Sequence, residues 1–388
     1  MVTFFWICLI IIFYTYIGYG VVLFFLVKLL RLTRREKGRE IDFFTPSLTL
    51  IVAAYDEAAI IEDKIKNSLA LEYPKGKLHF IFVTDGSTDG TTEIVSRYPE
   101  LQLLHTAKRS GKLAAIDRAM KEVKTQIVVF TDANTMINHN ALLCMCRHYR
   151  DEKIGAVAGE KRVDTEKVSD ATSGEGFYWQ YESTLKKWES ELYSVMGAAG
   201  ELFSIRTILY ETVQPDSILD DFMISMLISL KGYRIKYEPG AYAVEMASAS
   251  IAEELKRKIR IAAGAIQSLL RLKSLLLPFR YPLLSFEYLS HRILRWLVTP
   301  YLLIFFFLLN VFLVSGDRNE TSFIMILYGQ VVFYGTALLG GLFRKRQTSV
   351  KILFAPYYFC LMNYALITGM LRFMFTKQTV LWEKAKRK

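Results

Sequence analysis

Segment 4–27 is apolar and aromatic throughout and carries no charged residue. Because an α-helix rises about 1.5 Å per residue, this segment is long enough to cross the ~30 Å hydrocarbon core of a membrane. It lacks the basic start and the small-residue cleavage site of a signal peptide, which favours a retained anchor. We therefore expect a membrane protein.

Three more apolar segments lie near the C-terminus. Segments 296–314 and 323–343 are separated by a short polar turn and predict two spans. Segment 352–375 is also apolar, but a full crossing would export the basic tail, and the segment contains Pro356. We therefore expect a re-entrant or interfacial element there. Segment 265–295 mixes leucines with arginines, which is typical of interfacial helices; a core helix with a basic face is the alternative.

Basic residues predict the orientation of the chain in the membrane. The chain has 49 Lys and Arg against 38 Asp and Glu, a net charge of +11. Many of these cations flank the apolar segments, where anionic lipid attracts them, so nucleic-acid binding is a poor explanation of the charge. The positive-inside rule places the polar middle of the chain in the cytosol, at the plasma (inner) membrane of a multi-pass protein. The first basic flank consists of Lys28, Arg31, Arg34, Arg35, Lys37 and Arg39.

The middle of the chain alternates short apolar strands with amphipathic helices. This order is typical of an α/β domain with a mostly parallel sheet and helices on both faces. The first four strands are expected at 48–54, 78–84, 101–105 and 127–131.

Acidic residues follow three of these strands. Asp56, Asp85 and Asp132 stand at or just past strand ends, where open parallel sheets bind their ligands. Neither G-x-G-x-x-G nor a P-loop motif is present, so a Rossmann dinucleotide site and a P-loop are unsupported. The residues at these strand ends suit a nucleoside diphosphate as the ligand instead. Carboxylates would bind its base and ribose, Lys112 its phosphates, and the D-x-N of Asp132 and Asn134 a divalent metal.

Together these fragments resemble the membrane-embedded branch of family 2 glycosyltransferases, which includes cellulose, poly-N-acetylglucosamine and hyaluronan synthases. The resemblance implies a GT-A domain and sugar transfer from a nucleotide donor, UDP-hexose or UDP-N-acetylhexosamine, to a growing glycan. The fragments that carry it are V-A-A-Y-D-E at 52–57, the stretch 84–91, S-G-K at 110–112, D-A-N at 132–134, Asp220-Asp221, and L-W-E-K at 381–384.

The resemblance also implies roles for individual residues. Asp221 would be the catalytic base, and Asp132 and Asn134 would hold Mg²⁺ or Mn²⁺. Asp220 and Asp221 alternatively cap a helix, a role compatible with catalysis. The donor-binding set is Asp56, Glu57, Asp85, Lys112, Asp132, Arg257 and Arg260, of which the two arginines are alternatively a basic helix face turned to lipid. The acceptor-binding set is Gly200, Glu201 and Asp220, of which the first two alternatively form a tight turn before a strand.

Three departures from the family pattern bear on the reaction. Asp56 replaces the usual Asn, and Asn134 replaces a metal-binding carboxylate. The stretch 257–261 contains Arg260 but lacks the Gln and Trp of the Q-x-x-R-W motif of processive synthases. Single transfer to a lipid-linked acceptor is therefore one alternative to polymerisation, and a non-catalytic nucleotide-sugar-binding scaffold is another.

The expected partners are a nucleotide-sugar donor, a glycan or lipid-linked acceptor, and membrane lipids. With so few spans, export of a glycan would need a homo-oligomer or an export partner. The expected organisation is an N-terminal transmembrane anchor at 1–30, a cytosolic GT-A domain at 45–264, interfacial amphipathic helices at 265–295, a C-terminal transmembrane region at 296–376 and a basic cytosolic tail at 377–388.

Overall fold

The structure is a computed structural model that describes residues 1–33, 44–163, 173–245, 251–316, 320–343 and 351–376. Its contacts divide the chain into two units. A helical unit contains the described residues within Met1–Leu29, Thr165–Leu185 and Ser250–Lys377, and a sheet unit contains those within Leu30–Asp164 and Lys186–Ala249. The predictions for Arg34, Arg35, Lys37, Arg39, the L-W-E-K motif and the tail 377–388 lie outside the described residues.

One mixed sheet of eight strands organises the sheet unit, in the order β3-β2-β1-β4-β7-β6-β8-β5. Strands β1 to β4 pair in parallel, whereas β7 is antiparallel to both of its neighbours and β5 is antiparallel to β8. The strands are β1 Leu48–Ala54, β2 Leu78–Asp85, β3 Gln102–Thr106, β4 Ile127–Asp132, β5 Thr135–Ile137, β6 Ile154–Val163, β7 Leu202–Arg206 and β8 Arg234–Glu245.

The thirteen α-helices among the described residues are α1 Val2–Phe13, α2 Tyr19–Thr33, α3 Ile61–Leu69, α4 Thr91–Ser96, α5 Lys112–Glu122, α6 Ala141–Cys146, α7 Ser173–Leu192, α8 Asp220–Leu230, α9 Ile251–Arg271, α10 Pro282–Glu287, α11 Thr299–Ser315, α12 Thr321–Phe343 and α13 Lys351–Phe375.

Strand β1 is buried on both of its faces. Leu48, Leu50 and Val52 point to one side of the sheet and Thr49 and Ile51 to the other, and each of the five is at most 2% exposed. Along a strand of an antiparallel sheet with one face in solvent, buried and exposed residues would alternate instead. The prediction of a mostly parallel sheet covered by helices on both faces is confirmed.

The register of the parallel strands brings the predicted acids to one edge of the sheet. Ala54, at the end of β1, lies beside Thr84 of β2, and Ala53 lies beside Asp132 of β4. Asp85 follows Thr84 directly and pairs with Thr106 of β3. The carboxyl ends of three strands therefore coincide, as the sequence predicted.

The helical unit contains long apolar helices. Helices α1 and α2 are continuous through a π-helical turn at Tyr14–Gly18, and α10 continues into α11 through the π-helical segment Tyr288–Val298. Four helices of the described chain are long and apolar enough to cross a membrane, which indicates an integral membrane protein. They are Val2–Thr33, Pro282–Ser315, Thr321–Phe343 and Leu353–Phe375.

Two membrane predictions stay predictions. Helix α13 runs without a break through Pro356 for 25 residues, long enough for a span, and its re-entrant or interfacial placement is untested. In the segment 265–295, α9 ends at Arg271, a 3₁₀ turn follows at Lys273–Leu276, and a new helix begins at Pro282. The domain boundaries given above likewise remain a prediction.

Candidate active site

Lys112 and Asp132 form an ion pair at the carboxyl edge of the sheet. Asp132 is the last residue of β4 and Lys112 the first of α5, and Lys112 Nζ lies 2.5 Å from Asp132 Oδ1. Burial disfavours the charged lysine, but Asp132, Asp220 and Asp221 outweigh it and raise the pKa of Lys112. The charges of three carboxylates, from two separate parts of the chain, therefore stabilise one ammonium group.

Two of these carboxylates begin helix α8. Asp221 Oδ1 accepts the backbone N–H of Phe222 at 2.8 Å, which satisfies one of the unpaired amides of the first helical turn. Asp220 Oδ2 is buried and has no hydrogen-bond partner among the described residues. Asp221 thus uses Oδ1 to cap the helix, while its Oδ2 lies against Gly200. Capping and catalysis are compatible in this geometry.

The backbone at Gly200 lies directly against these charged groups. A Cβ atom added to Gly200 would stand 3.0 Å from Asp221 Oδ2 and 3.2 Å from Lys112 Nζ. Any side chain at this position would therefore crowd both groups. The close approach places Asp221, Lys112 and Gly200 in one cluster, so residues with predicted catalytic, donor-binding and acceptor-binding roles meet here.

The environment of Asp221 favours its protonated form. Burial and the neighbouring charge of Asp220 raise the pKa of Asp221 to about 7, whereas Lys112 and the Phe222 amide act in the opposite direction. A carboxylate whose pKa lies near neutrality can accept a proton in a reaction and return it to solvent at physiological pH. Asp221 therefore has the properties of a general base.

Asp85 binds the loop that immediately precedes Lys112. Its Oδ2 accepts the backbone N–H groups of Ser110 at 2.8 Å and Gly111 at 2.6 Å, and its Oδ1 accepts Arg118 Nη2 at 2.8 Å. Since Gly111 immediately precedes α5, these bonds fix the position at which that helix begins. Asp85 thus positions the S-G-K motif; its direct contact with a donor stays a prediction. The supporting residue Arg118 was missed from the sequence.

Gly86 packs directly beneath this loop, and its replacement provides a test of the packing. Gly86 has φ +72°, and an added Cβ would lie 2.8 Å from the Arg109 backbone nitrogen. We expect Gly86→Ala to lower the free energy of unfolding by about 3 kcal/mol, because it adds backbone strain and a clash with main chain. Chemical denaturation of the detergent-solubilised protein measures this change.

Gly90 provides the matched control. It has φ +91°, but no described atom lies within 4 Å of an added Cβ. Gly90→Ala should therefore cost only the backbone strain, about 1 kcal/mol. If both variants lose the same free energy of unfolding, the close contact of Gly86 with Arg109 does not affect stability.

The predicted donor residues Asp56 and Glu57 form a second set of contacts at the same edge. Asp56 has φ 51°; its N–H donates to Ser87 Oγ at 3.1 Å and its Oδ1 accepts the Thr88 N–H at 2.8 Å. The Glu57 N–H donates to Thr91 Oγ1 at 2.8 Å. The motif after β1 is therefore bound to the motif after β2, which fits a shared role at a nucleotide.

Arg109, which was not predicted as a site residue from the sequence, stacks on the ring of Tyr55. Its guanidinium lies 3.7 Å from the centroid of Tyr55. Its position directly before the S-G-K motif is the sequence signal that could have identified it as a site residue. This stacked pair brings a planar cation to the same loops as Asp56.

Glu201 belongs to a buried ion triad. Lys161 Nζ lies 2.5 Å from Glu201 Oε1 and also pairs with Glu245, and the three side chains are 6%, 16% and 8% exposed. The charges of Glu201 and Glu245 both act on Asp132, whose pKa is raised chiefly by its own burial. Glu201 therefore acts electrostatically on the cluster, and its acceptor-binding role stays a prediction. Lys161 and Glu245 carry no motif and were missed.

Arg257 and Arg260 lie on α9, in the helical unit. Arg257 Nε lies 3.2 Å from Glu254 Oε2, one helical turn earlier. The assignment of both arginines to the donor diphosphate stays a prediction.

The D-x-N turn carries two side chains whose oxygens are of the kind that bind divalent metals. Among the described residues, no three His, Cys, Asp or Glu side chains stand close enough to hold a metal ion. Asp132 and Asn134 supply one carboxylate and one amide, and Mg²⁺ is commonly bound by one or two carboxylates together with substrate phosphates. Asp132 and Asn134 therefore fit as the protein ligands of a metal ion whose other ligands are substrate phosphates.

Comparisons with known proteins identify a family and relatives that this chain resembles. Residues 49–213 match the family described as Glycosyl transferase family 2. Poly-beta-1,6-N-acetyl-D-glucosamine synthase of Staphylococcus aureus (strain COL) is 28% identical over 269 residues, 66% of this chain and 64% of the relative. The same-named protein of Staphylococcus epidermidis is 26% identical over 235 residues, 58% of this chain and 56% of that relative. The chain thus matches less than two thirds of the length of these curated relatives.

One solved structure shares the fold over nearly the whole chain. It is the mannosyltransferase PcManGT from Pyrobaculum calidifontis in complex with GDP-Man and Mn²⁺. The TM-score is 0.70 at 21% sequence identity, and the match covers 96% of this chain and 99% of that one. The predicted fold class, a GT-A-like sheet domain with long apolar helices, is confirmed.

Proposed function

Because the chain belongs to glycosyl transferase family 2, we propose that it is a membrane-bound inverting glycosyltransferase. Its donor is a UDP-linked sugar, for which the curated relatives favour an N-acetylhexosamine, and its acceptor is a growing polysaccharide or glycan. The observation that carries this proposal is the convergence of Asp221, Lys112 and Asp132 at the carboxyl edge of the sheet. A base and a phosphate-binding cation are the two groups that sugar transfer requires.

The reaction proceeds as a direct displacement. The acceptor hydroxyl oxygen attacks the anomeric carbon of the donor, and the bond from that carbon to the diphosphate oxygen breaks with inversion. Asp221 accepts the hydroxyl proton as the new glycosidic bond forms, and its pKa of about 7 suits this transfer. Asp220, whose buried Oδ2 has no partner among the described residues, accepts a hydrogen bond from the sugar acceptor and orients it.

Lys112 stabilises the departing nucleoside diphosphate. Its ammonium group is paired with Asp132, so a diphosphate competes with Asp132 for it. When bound by Asp132 and Asn134, Mg²⁺ or Mn²⁺ would supply further positive charge to the phosphates. Asp85 keeps Lys112 in place through Ser110 and Gly111.

The protein is proposed to lie in the plasma (inner) membrane with this domain in the cytosol. The apolar helices support membrane insertion, and the basic flank of the first helix supports the orientation. The domain division drawn from the sequence, including the interfacial segment 265–295, is part of this proposal. Transfer of one sugar to a lipid-linked acceptor is the second candidate, favoured by the missing Gln and Trp around Arg260.

An assay of the purified protein in lipid nanodiscs tests the function. Incubation with UDP-N-acetylglucosamine, UDP-glucose or GDP-mannose, with Mn²⁺ and membrane lipid extract, should release the nucleoside diphosphate from a UDP-sugar. Product analysis should show an inverted anomeric centre, and its length separates a polymer from a single transfer. Donor binding without any turnover would instead support a non-catalytic scaffold.

The acidity of Asp221 predicts the pH dependence of the reaction. The base must be ionised to accept a proton, and its pKa is about 7. We expect kcat/KM for the acceptor to fall about tenfold for each pH unit below that value and to level off above it. A profile that stays level down to about pH 5, near the ordinary range of a carboxyl group, would contradict the assignment.

A further inference from the structure

Lys64 is a fully buried lysine beneath the D-x-N turn. It lies on α3 and is 0% exposed, although lysine is rarely buried completely without a charged partner. Its Nζ donates to Thr135 O at 2.6 Å and to Thr131 Oγ1 at 3.0 Å, both of which are neutral oxygens. The cost of burying this group predicts a specific task for it.

The hydrogen-bond partners of Lys64 link the D-x-N turn to the loop that contains Gly200 and Glu201. Thr131 is the residue before Asp132, and its hydroxyl also donates to the backbone oxygen of Glu201 at 2.9 Å. The Thr135 hydroxyl donates to the backbone oxygen of Asp132 at 3.1 Å. Lys64 thus anchors the turn that carries the proposed metal ligands and, through Thr131, the loop that places Gly200 against Asp221.

Burial lowers the pKa of Lys64 to about 7, and the charge of Asp132 opposes that shift. The amine can donate to Thr135 O and Thr131 Oγ1 in either protonation state. Lys64 therefore contributes through geometry, because it holds two backbone segments that carry predicted site residues.

We propose that Lys64 is a positioning residue for donor binding, which holds the D-x-N turn and the Gly200 loop in register through Thr131 and Thr135. This inference rests on the proposed function. It assigns to α3, whose sequence shows only an amphipathic helix, a part in binding the donor diphosphate.

The test is Lys64→Met, which keeps the length and apolar stem of the side chain but removes its donor. We expect the donor KM, and the dissociation constant for UDP with Mg²⁺ measured by calorimetry, to rise about tenfold, and the acceptor KM to rise less. Lys64 contacts the D-x-N turn directly and reaches the Gly200 loop only through Thr131. A purely structural role would reduce the folded fraction and hence kcat, and would leave both KM values at wild type, which would overturn the proposal.

Lys66→Met is the matched control. Lys66 lies two residues further along α3, its side chain is 64% exposed, and it pairs with Glu62 at the surface. This variant should keep wild-type kinetics. If the wild type itself binds UDP but shows no turnover, the proposed function fails while the calorimetric comparison still decides the role of Lys64.

Thr131→Val keeps the proposal testable if Lys64→Met does not fold. This variant removes only the hydroxyl that links Lys64 to Glu201, and it should also raise the donor KM. Where both variants fold, their combined effect should be smaller than the product of the single effects, because they break one network. Fully multiplicative effects would show that the two residues act independently and would overturn the linkage.

Discussion

Asp221→Asn is expected to lower kcat by about 10²- to 10⁴-fold while the affinity for the nucleotide-sugar donor is retained. The amide keeps an oxygen that can accept the Phe222 N–H, so the first turn of α8 stays capped. It cannot take the proton of the acceptor hydroxyl. Steady-state kinetics, together with calorimetric titration of UDP, separate the lost chemistry from the retained binding.

The control for this substitution is Asp63→Asn on the exposed side of α3, which should leave kcat unchanged. The residual activity of Asp221→Asn should also lose the pH dependence near 7. Turnover within a few fold of wild type would remove Asp221 from the mechanism and reduce its role to helix capping. A parallel loss of UDP binding would indicate a collapsed site rather than a missing base.

Lys112→Met is expected to lower kcat by about 10²- to 10³-fold and to weaken UDP binding, because the leaving diphosphate loses its ammonium partner. The same change leaves Asp132 without its ion-pair partner at 2.5 Å. Removing one member of this mostly buried pair, whose side chains are 16% and 20% exposed, costs about 3 kcal/mol of stability. Kinetics and thermal unfolding of one preparation measure both effects.

The pH profile of this variant gives an independent readout. Lys112 lowers the pKa of Asp221, so its removal should shift the rising limb of kcat/KM to higher pH. Lys121→Met, at the exposed end of the same helix, is the control and should change neither quantity. An unshifted limb in the Lys112 variant would mean that the two groups do not interact electrostatically.

Most of the elements that carry the cluster can be predicted from the sequence. It predicted strand β1 at 48–54, where the structure has Leu48–Ala54, and it placed the start of α8 at Asp220 and Asp221. Continuous apolar runs that end in Asp-Gly-Ser or D-x-N are strong local signals, because strand ends and turns select their residues by backbone geometry. The family resemblance and the fold class followed from the order of these signals and are confirmed.

The supporting residues could not be found in the same way. Lys64, Arg118 and Lys161 stand in segments with no motif, and a lysine or arginine in an amphipathic helix or near a strand end is ordinarily a solvated residue. Their importance comes from partners distant in sequence, such as Asp85 for Arg118 and Thr131 for Lys64. A single sequence contains no record of those contacts.

By itself the sequence determined that apolar helices flank an α/β domain and that acids follow its strands, because hydrophobic length and periodicity are local properties of the chain. Only the tertiary structure decided that the charges of Asp132, Asp220 and Asp221 act on one ammonium group, and that the carboxylate of Asp85 is occupied in holding a loop. Burial and charge pairing set the pKa values of Lys112 and Asp221. Both depend on which residues the fold brings within a few ångströms of each other.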